Sequence, residues 1–241
     1  MLYKKLVTFF IVVVVTLVAS VAAFAKPTDS DKDKVQRKVL TPVNLAILIQ
    51  DDLVSQVGNE LDETRDFIRS LPAGSQVMVG YITTGTLQVR QPFTTDLDKA
   101  ARSLRMVMST TSASAFNPYV EVVEALRKFE TGKGKNVLLL ISDGLDTSRG
   151  FDSSAAGNTL DLQRAIDNAR KRDVAVYTFF APSVGLTSQN RMAVSYGQSS
   201  LNRLANDTGG KAFFQGSGFV SFNPYFRKLR EALNEQYAKA Y

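Results

Sequence analysis

The 241-residue chain contains no cysteine and no histidine. Without cysteine no disulfide can form, even in an oxidising compartment, so stability rests on the burial of a core. About 200 residues beyond the N-terminal segment are enough to build one. Without histidine, Ser-His-Asp and Cys-His triads are excluded within this chain, and with both residues missing so are zinc sites built on imidazole or thiolate. Carboxylates, hydroxyls, amides and lysines remain, a set suited to a hard cation such as Mg²⁺ or Ca²⁺. A concentrated basic stripe with interleaved aromatics is also missing, which argues against a nucleic-acid partner.

The first 25 residues carry Lys4 and Lys5, then an apolar run from Leu6 to Val18, and end in the small-residue pattern Ala23-Phe24-Ala25. This layout predicts a secretory signal peptide cleaved before Lys26, and hence a chain exported to the periplasm, the cell surface or the medium. The alternative is an uncleaved anchor, since Leu6 to Ala25 is free of charge and about long enough for a ~30 Å hydrocarbon core; the body would then work near the membrane. In either case the positive end stays inside and the body lies outside. Removing Lys4 and Lys5 from the 29 basic residues leaves 27 against 23 acidic ones, a net +4 spread along the chain. Residues 26–38 (KPTDSDKDKVQRK) are charged and lack apolar periodicity, as expected of a solvated linker. One domain, residues 39–241, is expected to follow.

That domain alternates strand and helix signals. VNLAILI (Val43 to Ile49) and NVLLLISDG (Asn136 to Gly144) are apolar runs of the length and continuity that strands covered on both faces require. VMVGYI (Val77 to Ile82) and TLQVRQPF (Thr86 to Phe93) flank Thr83-Thr84-Gly85 and predict a hairpin, with Pro92 marking the second as an edge strand. VAVYTFF (Val174 to Phe180) and KAFFQ (Lys211 to Gln215) predict two further strands. Helical faces run through Val57, Leu61, Thr64, Ile68 and Leu71; through Leu97, Ala100, Ala101, Leu104 and Met108; and through Tyr119, Val122, Val123 and Leu126 after the Asn117-Pro118 start. Later faces use Leu162, Ala165, Ile166 and Ala169, a short stretch with Leu201, Leu204 and Ala205, and a terminal helix with Phe222, Phe226, Leu229 and Leu233. The FNPY sequence at Phe116 and again at Phe222 reads as one capping solution used twice. The predicted fold class is α/β: a doubly wound, mostly parallel sheet with one antiparallel edge strand and helices on both faces.

Ligands in such sheets sit outside the carboxyl ends of the strands. The loops there hold Gln50-Asp51-Asp52-Leu53-Val54-Ser55, the stretch from Ser112 to Asn117, and Ser142-Asp143-Gly144. Their order resembles the von Willebrand factor A (VWA) family, whose metal-ion-dependent adhesion site uses D-x-S-x-S after the first strand, a Thr in a middle loop, and an Asp, often followed by Gly, ending a later apolar strand. The similarity covers roughly Val39 to Gln236 and is strongest in LLLISDG and in RDFIRSLPAGSQVMVGYI, which is similar to VWA-related bacterial proteins of unassigned role. It implies a Rossmann-like fold and a divalent cation whose open position accepts an acidic side chain from a protein partner.

This sequence departs from the motif. One register places Gln50, Asp52 and Val54 at the three ligating positions, the next places Asp51, Leu53 and Ser55, and neither supplies the full set. The Thr position falls on or near Asn117, with Ser112 and Ser114 as alternatives, whereas Asp143 matches. Two readings stay open: a modified Mg²⁺ or Ca²⁺ site with oxygens from Asp51, Asp52, Ser55, Asn117 and Asp143, or a degenerate site in which Asp143 caps its turn and Asn117 its helix. The functional expectation is a non-enzymatic, exported module that binds a protein partner. A structural component of the cell envelope is the alternative, and a metal-assisted hydrolase using Asp51, Asp52 and Asp143 ranks last, because no base-plus-nucleophile pair accompanies them. Gly132 and Gly134 precede a strand, the reverse of the dinucleotide-binding order. Residues 149–158 and 182–198, the latter with Arg191 and Tyr196, are expected to rim the site as polar loops.

Overall fold

The computed structural model describes residues 41–130, 134–151, 159–214 and 221–238. The predicted signal peptide, the charged linker, Gly132 and most of the expected 149–158 rim lie outside them. No helix among the described residues is long and apolar enough to cross a membrane.

Six strands form one sheet among these residues: β1 (Val43–Gln50), β2 (Gln76–Thr83), β3 (Thr86–Thr94), β4 (Lys135–Ser142), β5 (Val174–Phe180) and β6 (Ala212–Phe213), in the order β3-β2-β1-β4-β5-β6. All neighbours are parallel except the β2–β3 hairpin, so the predicted mostly parallel sheet with an antiparallel edge strand is what forms. Thr83 pairs with Thr86 across a two-residue turn, and both central residues, Thr84 (φ 51°) and Gly85 (φ 63°), take the left-handed conformation such a turn demands.

Helices cover both faces. Leu45, Ile47 and Ile49 point to one side, under α1 (Gln56–Asn59), α2 (Leu61–Arg69), α3 (Leu97–Arg102) and α7 (Asn223–Ala238). Ala46 and Leu48 point to the other, under α4 (Pro118–Leu126), α5 (Leu160–Lys171) and α6 (Arg191–Asp207). The two-residue period of a strand splits one continuous apolar run between two cores. On the first side the Phe67 ring of α2 stacks on Phe226 of α7, with centroids 4.6 Å apart.

Three predicted helices differ from those observed. The face from Val57 to Leu71 is broken at Glu60, whose carboxylate accepts a hydrogen bond from the Phe222 amide at 2.6 Å. The face from Leu97 to Met108 ends at Arg102: Leu104 is buried beyond the helix and Met108 is exposed, because the chain turns away to carry Arg105 to β1 and β2. The short helix around Leu201 is 17 residues long and begins at Arg191, capped by Asn190, whose side-chain oxygen accepts from the Met192 and Ala193 amides. Arg191 and Tyr196 are therefore helical residues, and Tyr196 packs its ring on Phe151. The last strand is two residues, Ala212–Phe213; Gln215 lies outside the described residues.

Candidate functional site: a carboxylate cleft at the strand ends

The order of the chain reverses between β1 and β4, and the loops leaving their carboxyl ends diverge there. Such a switch point opens a crevice. In this protein the crevice is a cleft of about 300 Å³, with Gln50, Asp52, Ser114, Asp143 and Ser183 among its polar lining and Phe116, Leu145 and Leu186 among its apolar lining.

Gln50 is the last residue of β1 and bridges the two loops. Its Oε1 accepts from the Ser142 hydroxyl at 2.6 Å and from the Asp143 amide at 3.2 Å, and its Nε2 donates to Asp52 Oδ1 at 2.8 Å. A backbone N–H only donates, so the contact with Asp143 fixes which end of the amide is the oxygen. Asp143 in turn accepts from the Leu145 amide at 3.1 Å through Oδ1 and from the Thr187 hydroxyl at 3.2 Å through Oδ2. The loop after β1 is also laced to the loop after β5, where Val54 N–H donates to the Pro182 carbonyl and Val184 N–H to that of Asp52.

Both carboxyls are only 4 % exposed. Burial, reinforced by the proximity of Asp143, pushes Asp52 up to about 6 against the opposing hydrogen bond from Gln50. Burial also raises Asp143, opposed by hydrogen bonds from Ser183, the Leu145 amide, Gln50 and Thr187. Every partner of the pair is neutral.

Asp51, one residue away, is in a different environment. It is fully buried, and its two oxygens meet the Arg105 guanidinium at 2.7 and 2.6 Å while Oδ1 also accepts from the Met108 amide at 2.9 Å. Arg105 lies over the Tyr81 ring, 4.0 Å from its centroid, and the Tyr81 hydroxyl accepts from its amide and donates to its carbonyl. Hydrogen bonding to Asp51 raises the Arg105 guanidinium further above its already high value.

Of the five predicted site residues, the structure thus brings Asp52 and Asp143 together and leaves the other three elsewhere. Asp51 is held by Arg105. Ser55 is exposed before α1 and makes no capping hydrogen bond. Asn117 caps α4, its oxygen accepting from the Tyr119 amide and its Nδ2 donating to Asp146 at 3.1 Å and Asp161 at 2.9 Å. From the register through Gln50, Asp52 and Val54, the first two reach the cleft, whereas Val54 packs against the core.

The donor set fits a VWA-type divalent cation poorly. In the register whose Gln50 and Asp52 line the cleft, Gln50 stands where the motif has its first Asp and Val54 where it has its second Ser, and the Gln50 oxygen already serves two donors. A hard cation that keeps so few protein oxygens gains little for the hydration it loses.

In the sequence Gln50 shows only as a break in the motif, Ser183 and Thr187 lie in the polar stretch 182–198, and no local pattern marks Arg105.

No protein-family model and no curated protein matches the sequence. Among solved structures, the chain is similar to the conserved hypothetical protein BatB from Bacteroides thetaiotaomicron, with a TM-score of 0.56 and 14 % identity over 82 % of this chain and 99 % of that one. It is also similar to an aerotolerance-related membrane protein from Bacteroides fragilis (0.51, 13 %, 80 % and 99 %) and to a von Willebrand factor type A protein from Catenulispora acidiphila (0.53, 13 %, 80 % and 43 %). These likenesses define the fold as VWA-like.

Proposed function

We propose that this chain is an exported, non-enzymatic VWA-like module that binds a protein partner through the cleft between β1 and β4, with a degenerate adhesion site that works without a divalent cation. The observation that carries the reading is the Gln50 bridge. It ties Asp52 and Asp143 into a preformed polar floor at the switch point, beneath the exposed side chains of Phe116 and Leu186. Apolar walls with a few fixed polar groups are the anatomy of a binding pocket. With no histidine or cysteine, the cleft offers no nucleophile with an adjacent base of the usual kind.

The test is a photo-crosslinking residue at Leu186 in the full chain, expressed in its native cells. A specific partner protein, captured at Leu186 and not at a control position on the far end of the sheet, is the expected result. Capture of the chain itself alone would turn the reading toward a structural component of the cell envelope, a role favoured by the likeness to a membrane protein. The cation question is separate: Mg²⁺ or Ca²⁺ should leave the melting temperature unchanged, and a rise that disappears in Asp143→Ala would sink the degenerate reading. Export predicts that the protein outside the cytoplasm begins at Lys26.

A further inference from the structure

The misfit between the cleft and a divalent cation points to a different occupant, and resting on the reading of the cleft as the partner site, we infer that it receives a lysine side chain of that partner. Two carboxyls, each 4 % exposed, face a cleft whose described lining contains no lysine or arginine. Their neutral partners, Gln50, the Leu145 amide and the Thr187 hydroxyl, orient them without balancing charge. The nearby guanidinium, Arg105, is engaged by Asp51. A positive ligand is what this pair lacks.

The walls say which kind. Phe116 and Leu186, 47 % and 39 % exposed, line the same cleft. A hydrated metal ion gains nothing from them, whereas the methylene stem of an alkylammonium packs on them and its head is attracted to an aromatic face. Phe116 is held at this mouth in the left-handed conformation (φ 54°), its carbonyl accepting from the Thr147 amide at 2.6 Å. Between the two basic side chains, geometry selects lysine. A guanidinium seeks both oxygens of one carboxylate in a planar fork, whereas the two carboxyls here come from separate loops, Asp52 after β1 and Asp143 after β4. An ammonium is a compact charge with three rotatable donors, able to reach carboxylates that arrive from two loops.

The test titrates the intact exported chain, labelled with ¹⁵N, with n-pentylammonium as the lysine mimic, and with methylammonium, n-pentylguanidinium, pentanol and Mg²⁺ as separate arms. Saturable shifts of the Gln50 side-chain amide and the Leu145 backbone amide are expected with n-pentylammonium and not with pentanol. Asp52→Asn should weaken binding about ten-fold, the scale of one charge-assisted hydrogen bond. Phe116→Gly, which keeps the left-handed backbone, should erase the preference for pentyl- over methylammonium. Equal shifts with pentanol, equal or tighter binding of n-pentylguanidinium, displacement of the amine by Mg²⁺, or no saturable shift would each overturn the inference. If Leu186 still captures a partner when the amine fails to bind, only the lysine assignment is lost; if Leu186 captures nothing, the reading of the cleft fails with it.

Discussion

Asp51 and Asp52 are neighbours in the chain and opposites in the fold. Asp51 is buried against a cation that reaches it from 54 residues away, with two short hydrogen bonds and an aromatic platform behind the guanidinium. Asp52 is buried beside another carboxylate and receives only neutral donors. The first arrangement holds the loop after β1 in place. The second leaves negative charge poorly compensated in the cleft, a local cost that the proposed partner would relieve. One residue's step along the chain thus separates a carboxylate held by a guanidinium from one held only by neutral donors.

Five substitutions break or sharpen this contrast. Arg105→Ala should have the largest effect, because it leaves the fully buried Asp51 uncompensated; chemical denaturation should read a loss of about 4 kcal/mol. Asp52→Asn should act in the opposite direction. An acid raised from 3.8 to about 6 by folding binds its proton more tightly in the native state. Its unfavourable contribution therefore grows as pH rises from about 4 to about 6 and is constant above that. The substitution should stabilise the protein by about 3 kcal/mol at pH 7 and flatten stability against pH in that window. A variant that loses stability at pH 7 would contradict the assignment of strain to the Asp52–Asp143 pair.

Gly197→Ala tests how rigidly the cleft side is held. A Cβ there would lie 1.9 Å from the Asp143 carbonyl oxygen, backbone against backbone, and should cost about 2 kcal/mol. An unchanged denaturation midpoint would mean that the Asp143 loop yields easily. The smallest expected effects separate the two remaining predicted site residues: Asn117→Ala should cost about 1 kcal/mol through the lost helix cap, and Ser55→Ala should stay within about 0.5 kcal/mol.

The central strands were legible because burial on both faces demands continuous apolar runs, as in VNLAILI and NVLLLIS. The Thr84-Gly85 turn and the Asn117 cap were legible because each solves a local backbone problem with its own residue type. The first half of α6 was not. Its buried face is Ala193, Val194, Gly197 and Ser200, small side chains that resemble a loop in sequence but let the helix approach the Asp143 backbone. The premature end of α3 was hidden for the converse reason: Leu104 keeps helical spacing and is buried, yet a distant carboxylate draws Arg105 off the helix.

In the site, Asp143 could be read from its place at the end of an apolar strand, and the broken motif beside it was equally plain. Which register after β1 enters the cleft could not be read, since either alternation satisfied the local pattern equally well. By itself the sequence determined the alternation of strands and helices, the burial of β1 and β4, and a chemistry restricted to oxygen, amide and amine groups. Only the tertiary structure decided that Asp51 turns toward Arg105 and Asp52 toward Asp143. Beyond the last strand pairing a side chain's direction follows from the turn and from partners remote in sequence, and neither Arg105 nor Gln50's contact with Ser142 exists until the sheet has assembled.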